Sequence, residues 1–167
     1  MVLSDGKWTG ISNSWIQWKT SKKGYDFTNI AIDAKDASHY FVTSYGTGLY
    51  EFKGSQLVKH YTPSNSIIGS AAPDNPDRYT RVDGAAYDAD GCLWVVVAGG
   101  VDTTLVCIMP DGTQRGLNIY SGSEQRFVVN TPGGILIDQL HPERKWLVSC
   151  RSDAAIVLLD DGGTKFD

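Results

Sequence analysis

The sequence predicts an all-β fold built from repeated units of antiparallel strands. Three observations lead to this prediction. Short apolar or alternating segments recur along the 167 residues, and turns rich in glycine and aspartate separate them. Aromatic residues make up 11% of the chain and glycines number 18, a mixture that suits many short strands. No segment combines the period of a helix with helix caps.

The clearest copy of the repeat lies near the middle of the chain. Asp88 begins an acidic turn, Gly91 ends it, and Trp94 lies in the apolar strand that follows. Weaker copies lie on both sides, and intervals of 55 and 50 positions separate their first aspartates, Asp33, Asp88 and Asp138. Four short antiparallel strands every ~50 residues form one blade of a β-propeller.

The repeat divides the chain into four stretches. Residues 1–26 are predicted to end a preceding blade, with an aromatic and polar alternation over residues 14–19 read as a strand. Residues 27–81 form a blade and a long loop, and residues 82–130 form the next blade. Residues 131–167 form a third blade that is truncated at its end. The sequence therefore predicts a single partial β-propeller of about three four-stranded blades plus a partial one.

Each element of a unit has its own sequence signal. In the first full unit, the apolar segment 30–32 precedes a polar turn, and 39–44 is rich in aromatic and β-branched residues. Segment 49–52 alternates apolar and polar residues, and 56–61 closes the unit. A glycine followed by Ser or Thr marks the last turn of each unit, at Gly54, Gly112 and Gly163.

The repeated residues are predicted to serve the scaffold. The Asp of each turn accepts backbone amide hydrogens, and Gly91 supplies a positive φ. The aromatic residues Tyr40, Trp94 and Trp146 fall at matching positions, where each is predicted to wedge between adjacent blades. Such a side chain buries about 150–250 Å². A calcium loop at residues 88–91 is disfavoured because the next residues supply no oxygen ligands.

The segment from Asp88 to Val95, D-A-D-G-C-L-W-V, resembles the repeat motif of two-component-regulator propellers, D-x-D-G-x-L-W-I. In that motif a G-T and a G-L strand follow, and residues 46–52, G-T-G-L-Y-E-F, match this second half. The third unit keeps only Asp138 and Trp146 with Leu147. The resemblance extends roughly from Phe27 to the C-terminus and implies a propeller fold.

Two kinds of protein carry such propellers. One is the periplasmic sensor region of hybrid two-component systems, which recognises glycans. The other is the surface propeller of the type IX secretion system, which helps to present a sortase and handles anionic lipopolysaccharide. Segments 27–33, 45–52 and 109–113 are closer to the second kind. The resemblance thus implies a periplasmic or surface protein whose partners are a secretion-system protein, lipopolysaccharide or a glycan.

Charge and hydropathy exclude other classes. The net charge is −4, and the only basic cluster is Lys19, Lys22 and Lys23, so nucleic acid is not an expected partner. No apolar run of about 18 residues exists, which predicts no membrane insertion. Residues 1–6 do not form a signal peptide, so an exported parent would carry its signal outside this chain.

No catalytic constellation stands out. The three histidines fit no metal-ligand spacing, and neither G-x-S-x-G nor a phosphate-binding glycine loop is present. A glycosidase needs two facing carboxylates, and the sequence marks no such pair. We therefore expect a non-catalytic module without cofactor or metal, and a propeller hydrolase or lyase is the least favoured alternative.

Candidate binding residues are aromatic side chains outside the repeated positions. The first choices are Tyr79 and Arg81, at the end of a Pro- and Asn-rich connection over residues 62–81. Tyr61, Trp15 and Trp18 are further candidates, because aromatic platforms bind sugars. The alternative for each of them is packing between blades.

The number of repeats predicts an incomplete ring. A propeller needs 4–8 blades, and this chain supplies about three. An open arc exposes blade faces that would otherwise be buried, and apolar patches of that size drive association. The sequence therefore predicts a fragment of a larger propeller, or two copies that close a six-bladed ring.

Overall fold

The computed structural model describes residues 1–20, 23–99, 103–121, 126–127, 132–149 and 156–162. Gly163, which was predicted to lie in a turn, is outside the described residues. The helices are α1 (Asn13–Thr20) and α2 (Pro76–Tyr79). The strands are β1 (Val2–Ser4), β2 (Lys7–Thr9), β3 (Phe27–Ile32), β4 (His39–Gly46), β5 (Gly48–Lys53), β6 (Gln56–Tyr61), β7 (Thr80–Tyr87), β8 (Leu93–Val97), β9 (Leu105–Ile108), β10 (Gln114–Leu117), β11 (Tyr120–Ser121), β12 (Arg126–Phe127), β13 (Pro132–Ile137), β14 (Arg144–Ser149) and β15 (Ile156–Asp160).

The strands form successive antiparallel meanders, which confirms the predicted all-β, partial-propeller fold. Blade 1 consists of β3–β6 and blade 2 of β7–β10, each with four strands that pair in chain order. Blade 3 consists of β13–β15. β1 pairs with β2, and β11 with β12, as separate hairpins. The predicted division of the chain after residues 26, 81 and 130 stays a prediction.

Blades 1 and 2 belong to one continuous sheet. The end of β4 pairs with the start of β7, where Tyr45 lies opposite Arg81 and Gly46 opposite Thr80. The two inner strands, β3 and β7, therefore lie side by side. β13 lies against the other side of β7, so the three blades form an arc around their inner strands.

Side chains alternate between the two faces of each blade. We call the face toward the next blade the forward face and the opposite face the rear face. The forward face of blade 1 packs on the rear face of blade 2, with Phe41 and Leu49 against Val95 and Val106. All four are at most 3% exposed. Because blade 2 is covered on both sides, β8 reads as a continuous apolar run.

The interface between blades 2 and 3 is built in the same way. Trp94 and Cys107 on the forward face of blade 2 pack with Ile137 and Leu147 of blade 3. Trp94 is completely buried, so this side chain fills the space between the blades as the sequence predicted. Its large apolar surface makes it a major contributor to the stability of the interface.

Every inner strand carries a β-bulge at the same position. The extra residue is Thr28 in β3, Asp83 in β7 and Gly133 in β13. Adjacent bulges touch, because the hydroxyl of Thr28 donates to the carbonyl of Asp83 at 3.0 Å. At the next interface, Gly84 lies so close to β13 that an added Cβ would be 2.9 Å from the Cα of Gly134. A bulge bends its strand and increases the local twist, so these positions shape the arc.

The predicted strand over residues 14–19 is wrong, because this segment belongs to α1. Ser12 caps the helix by accepting a hydrogen bond from the Trp15 amide through Oγ, at 3.2 Å. Ile16 and Trp15 lie on the side that packs against Tyr50 and Phe52, on the rear face of blade 1. The alternation of aromatic and polar residues over six positions also fits a helix with one apolar face. Packing of that face on blade 1 stabilises the helix.

The strand registers also correct one repeated position. Phe41 pairs with Glu51 in blade 1 as Trp94 pairs with Cys107 in blade 2, so Phe41, and not Tyr40, is the equivalent of Trp94. Tyr40 points to the rear face and stacks on Phe52, with ring centroids 5.2 Å apart. The turn before Tyr40 is two residues longer than the corresponding turn in blade 2. Counting the same number of positions from each aspartate therefore does not reach equivalent residues.

The forward face of blade 3 is open in the described part of the chain. Its large apolar side chains are exposed by 37–66%; they are Leu136, Trp146, Val148, Ile156 and Leu158. Trp146 is equivalent to Trp94 by register, yet none of the described residues forms a blade that covers it. Within the described residues, no helix has the length and apolar character needed to cross a membrane.

Candidate functional site

A polar cleft lies between blades 1 and 2, at the rim that carries the β3–β4, β7–β8 and β9–β10 turns. Its volume is about 230 Å³. We call it the interblade cleft and define it by its five polar side chains, Asp33, His39, Glu51, Tyr61 and Tyr87. Apolar side chains complete the walls; they are Phe41, Leu93, Ile108, Met109 and Pro110.

Four of the polar side chains form one hydrogen-bonded chain. The Nδ1 atom of His39 lies 3.3 Å from Asp33 Oδ2, and its Nε2 lies 3.0 Å from Glu51 Oε1. The hydroxyl of Tyr61 donates to Glu51 Oε2 at 2.8 Å. Because carboxylates only accept hydrogen bonds, both ring nitrogens can donate only when the imidazole is protonated. Blade 1 thus holds its two carboxylates around one imidazole.

The fifth polar side chain, Tyr87, comes from the end of β7. Its hydroxyl oxygen is buried and has no hydrogen-bond partner among the described residues. The Tyr87 ring packs edge-on against Phe41, with centroids 6.2 Å apart. Buried polar atoms in proteins normally have a partner, so the Tyr87 hydroxyl is an unsatisfied donor in the wall of the cleft.

Burial and charge keep the phenols in their neutral form. Desolvation raises the pKa of Tyr61 well above its ordinary range, and the hydrogen bond to Glu51 raises it further. Desolvation also raises the pKa of Tyr87, with Asp33 and Glu51 as the neighbouring negative charges. The pKa of Asp33 is lowered, first by the hydrogen bond from the Lys35 amide and also by His39. The cleft therefore offers ionised acceptors and neutral hydroxyl donors.

The equivalent positions at the next interface are apolar. Strand registers and turn-closing hydrogen bonds give the correspondences directly. His39 corresponds to Cys92, Glu51 to Cys107, Tyr61 to Leu117 and Tyr87 to Ile137. Cys92, Cys107 and Ile137 are at most 9% exposed and pack in the core between blades 2 and 3. Of the five polar cleft residues, only Asp33 has a polar equivalent, which is Asp88. At these positions the first interface therefore has a polar cleft and the second has a packed core.

The second interface has a different buried charge. Lys145 is 1% exposed and pairs with Asp161, whose side chain is 5% exposed. The ammonium nitrogen lies 4.5 Å from the centre of the Trp94 ring and also donates to the carbonyl of Glu143 at 3.2 Å. This ion pair lies at the same rim of the second interface, where it lines a smaller pocket of about 130 Å³ beside the β7–β8 turn.

The leading predicted pair, Tyr79 and Arg81, does come together. The guanidinium carbon of Arg81 lies 5.2 Å from the ring centres of both Tyr79 and Tyr45. Tyr79 is 37% exposed. This pair lies beside the β4–β7 junction, whereas the interblade cleft opens at the rim with the β3–β4 turn, so the two do not form one site.

The connection before this pair is tied down at several points. Gln114 accepts a hydrogen bond from the Ile67 amide at 3.1 Å, and Thr103 donates to the Ile67 carbonyl at the same distance. Ile68 is completely buried in the core between blades 1 and 2. The long loop therefore acts as a strap from blade 1 to the outer strand of blade 2.

The other candidate aromatics lie apart. Tyr61 is 5% exposed and lines the interblade cleft, as described above. Trp15 stacks on Phe52, with ring centroids 6.5 Å apart, which is a packing role. Trp18 belongs to α1, and its side chain lies outside the described residues.

The repeated aspartates hold their turns. Asp33 accepts from the amide of Lys35 at 2.8 Å, and Asp138 accepts from the amide of Leu140 at 2.9 Å. Asp88 accepts from the amides of Asp90 and Cys92 and from the Trp94 indole. Gly91 has a φ of 88°, which closes the tightest of these turns.

Sequence reasoning missed three members of the cleft. The histidine spacing indicated no site at His39, and neither Glu51 nor Tyr87 was predicted to be a site residue. The sequence did contain one indication of the cleft, because Glu51 is a charged residue at the strand position that Cys107 occupies in blade 2. Finding it required the register of the strands, which the turn lengths alone did not supply. In the described part of the chain, no group of three His, Cys, Asp or Glu side chains could hold a metal ion.

The blade arc, the repeated turn and the bulged inner strands define a segment of a β-propeller of the kind found in bacterial surface and sensor proteins. Over 96% of its length the chain is similar to PorZ, a surface component of the type IX secretion system of Porphyromonas gingivalis, with 25% identity and a TM-score of 0.74. The chain spans 21% of the PorZ chain, about a fifth of its length.

Two further solved structures share the fold. The extracellular domain of a hybrid two-component system from B. thetaiotaomicron matches 80% of this chain and 17% of its own, at 17% identity and a TM-score of 0.53. That of a one-component system from the same organism matches 77% and 14%, at 20% identity and a TM-score of 0.50. No family model and no curated protein matches the sequence. The resemblance predicted from residues 88–95 is thus confirmed at the level of structure.

Proposed function

We propose that this chain is a non-catalytic binding and scaffold segment of an exported bacterial surface propeller of the type IX secretion kind. One observation carries the proposal: PorZ, a surface component of that system, matches nearly the whole chain, with a TM-score of 0.74. Partners would be the other blades of a longer propeller or a second copy, together with a secretion-system protein or lipopolysaccharide.

The described side chains support binding better than catalysis. The two carboxylates of the interblade cleft both contact the same imidazole, so each already has a partner within blade 1. Among the described residues, the one buried cation, Lys145, is already paired with Asp161. These groups order the cleft and the interfaces of the blades.

Deleting the gene in its source bacterium tests the proposal. We expect secreted cargo that carries a type IX sorting domain to accumulate unprocessed inside the cell and to return to the surface on complementation. External protease should also cut the protein on intact cells. Normal cargo display in the deletion strain would contradict the type IX assignment.

A second candidate is the ligand-sensing propeller of a two-component system that recognises a glycan. Two sensor domains with the same fold favour it, although they match this chain less closely than PorZ does. In that case deletion would leave cargo display intact and abolish the transcriptional response to a glycan. Profiling the same deletion strain for both phenotypes separates the candidates.

A further inference from the structure

We propose that the interblade cleft binds a compact, neutral polyhydroxyl group of about the size of one sugar ring, held by Tyr87, Glu51 and Asp33. The proposal rests on the proposed function only in treating the chain as a binding module. It concerns a defined site and a defined ligand chemistry, and it is tested on the purified protein rather than through secretion.

The first argument is the contrast between the two interfaces. Four positions that are Cys92, Cys107, Leu117 and Ile137 at the second interface carry polar side chains at the first. Burying a polar group in place of an apolar one is destabilising when its hydrogen bonds are incomplete. The apolar side chains at these four positions of the second interface show that the fold does not require polar groups there, so a need for packing does not account for the polar set at the first interface.

The second argument is the balance of donors and acceptors. Each carboxylate oxygen of Asp33 and Glu51 already has one partner in the protein, and its remaining lone pair is left for a donor from solvent or from a ligand. The buried hydroxyl of Tyr87 has no partner among the described residues, and its proton requires an acceptor. A hydroxyl group donates and accepts at once, so adjacent hydroxyls on one ligand satisfy both requirements.

Charge excludes the other ligand classes. The described residues that line the cleft include two carboxylates and neither lysine nor arginine, which opposes a phosphate or carboxylate ligand. An ammonium group would pair with the carboxylates, but it cannot accept the proton of Tyr87. His39 also supplies positive charge between Asp33 and Glu51 when it is protonated, which reduces the attraction for a second cation.

Size and shape limit the ligand to one ring. A volume of 230 Å³ equals that of roughly seven or eight water molecules at about 30 Å³ each. Phe41, Leu93 and Ile108 form an apolar wall against which the C–H face of a ring can lie. The side chains of Asp33 and His39 are 22% and 26% exposed, so the cleft reaches solvent and a ligand can enter.

The test is a titration of the 167-residue protein with glucose, galactose, mannose and N-acetylglucosamine. Calorimetry measures the affinity, and thermal unfolding measures the change in Tm. Methylammonium and glucuronate serve as the cationic and anionic probes. We expect at least one neutral sugar to bind and to raise the Tm, while the charged probes do neither. Tyr87→Phe should weaken that sugar about 5–10-fold, as the loss of one hydrogen bond implies. Tyr40→Phe, on the rear face of blade 1 and outside the cleft, should leave its affinity unchanged.

Tyr87→Phe without ligand gives an independent readout. Because the hydroxyl has no partner, its removal should maintain or raise the Tm of the free protein, whereas a structural hydroxyl would lower it. Glu51→Gln provides the same affinity test should Tyr87→Phe not fold. Binding of none of the four sugars, preferential binding of methylammonium or glucuronate, or full sugar affinity in the cleft variant would overturn the proposal. Each of these results leaves the type IX assignment to be decided by the deletion strain.

Discussion

The carboxylate of Asp88 accepts a hydrogen bond from the indole nitrogen of Trp94 at 2.9 Å, across the turn that joins β7 and β8. The same carboxylate accepts from two backbone amides of the turn, those of Asp90 and Cys92. One side chain therefore fixes both the turn and the aromatic residue that fills the interface between blades 2 and 3. In blade 3 the Trp146 side chain contributes to the lowered pKa of Asp138, after the larger effect of the hydrogen bond from the Leu140 amide.

Asp88→Asn tests this coupling. The asparagine oxygen can still accept from the turn amides, but its NH₂ group then faces the indole N–H, so the buried Trp94 loses its acceptor. We expect a loss of about 1–3 kcal/mol of unfolding free energy, and a Tm lower by about 2–4 °C for each kcal/mol. Asp74→Asn, the same change of charge on an exposed loop, is the matched control. Equal Tm values for the two variants would contradict the coupling.

Gly84 and Gly134 provide a matched pair at the contact of two inner strands. A Cβ at position 84 would lie 2.9 Å from the Gly134 Cα and 3.1 Å from the Ile135 nitrogen, both of them backbone atoms. A Cβ at Gly134 would meet nothing within 4 Å. We expect Gly84→Ala to cost roughly 1–3 kcal/mol by overpacking and Gly134→Ala to be close to neutral. Urea unfolding of both variants measures the difference, and a reversed order would contradict the packing of β7 on β13.

The buried ion pair between Lys145 and Asp161 predicts a large effect on stability. Lys145→Met removes the cation of this buried pair, and breaking such a pair from one side typically costs about 3–5 kcal/mol. The double variant Lys145→Met, Asp161→Leu should recover much of that loss, because both buried charges are then removed. Lys53→Met is the control. The Lys53 side chain is 52% exposed in a surface ion pair, so its loss should change the unfolding free energy little. Chemical denaturation measures all three, and a double variant no better than the single one would be evidence against the pair.

Alkaline pH should destabilise the interface of blades 1 and 2. The pKa values of Tyr61 and Tyr87 are raised above the ordinary value of 10.0, so the folded state keeps protons that the unfolded state releases. Their contribution is complete below pH 10 and is lost as the pH rises from 10 toward the folded pKa values. Unfolding free energy measured against pH should therefore fall above 10. The double variant Tyr61→Phe, Tyr87→Phe should show a shallower fall; an unchanged slope would refute this cause.

The open forward face of blade 3 predicts association. Ile156 is 66% exposed, whereas its equivalents Leu49 and Leu105 are completely buried; Leu136 is 64% exposed, whereas its blade 1 equivalent Ala31 is 5% exposed. We expect the molar mass from light scattering to increase with concentration, and Leu136→Lys with Ile156→Lys to restore the monomer. Val58→Lys, at an exposed valine of β6, is the control and should not affect association. A wild-type protein that stays monomeric with a cooperative melt would contradict both the six-bladed closure and the open-fragment prediction.

Local sequence patterns predicted much of the fold. The D-x-D-G turn at Asp88 and the apolar run of β8 identify a hairpin of a covered blade, because a strand buried on both faces needs apolar residues at every position. The interval between Asp33 and Asp88 identifies the repeat. These signals lie within a few residues of each other or depend on simple spacing, so they can be read without the three-dimensional structure.

The rest depended on contacts that are distant in sequence. The segment around Trp15 becomes a helix because blade 1 offers Phe52 and Tyr50 as a packing surface. The interblade cleft combines Glu51 of β5 with Tyr87 of β7, and their proximity follows from the strand pairing at the β4–β7 junction. Turn lengths that differ by two residues hid the equivalence of Phe41 and Trp94, so the alignment of the repeats required the observed register.

The bulged residue at the same place in β3, β7 and β13 has a consequence for how such proteins grow. Since each unit of about fifty residues contains its own bend, a tandem gene duplication copies the curvature together with the strands. A new blade would join the arc already angled toward its neighbour. Such a ring can therefore gain whole blades, and the interface between two blades can change from packed and apolar to polar.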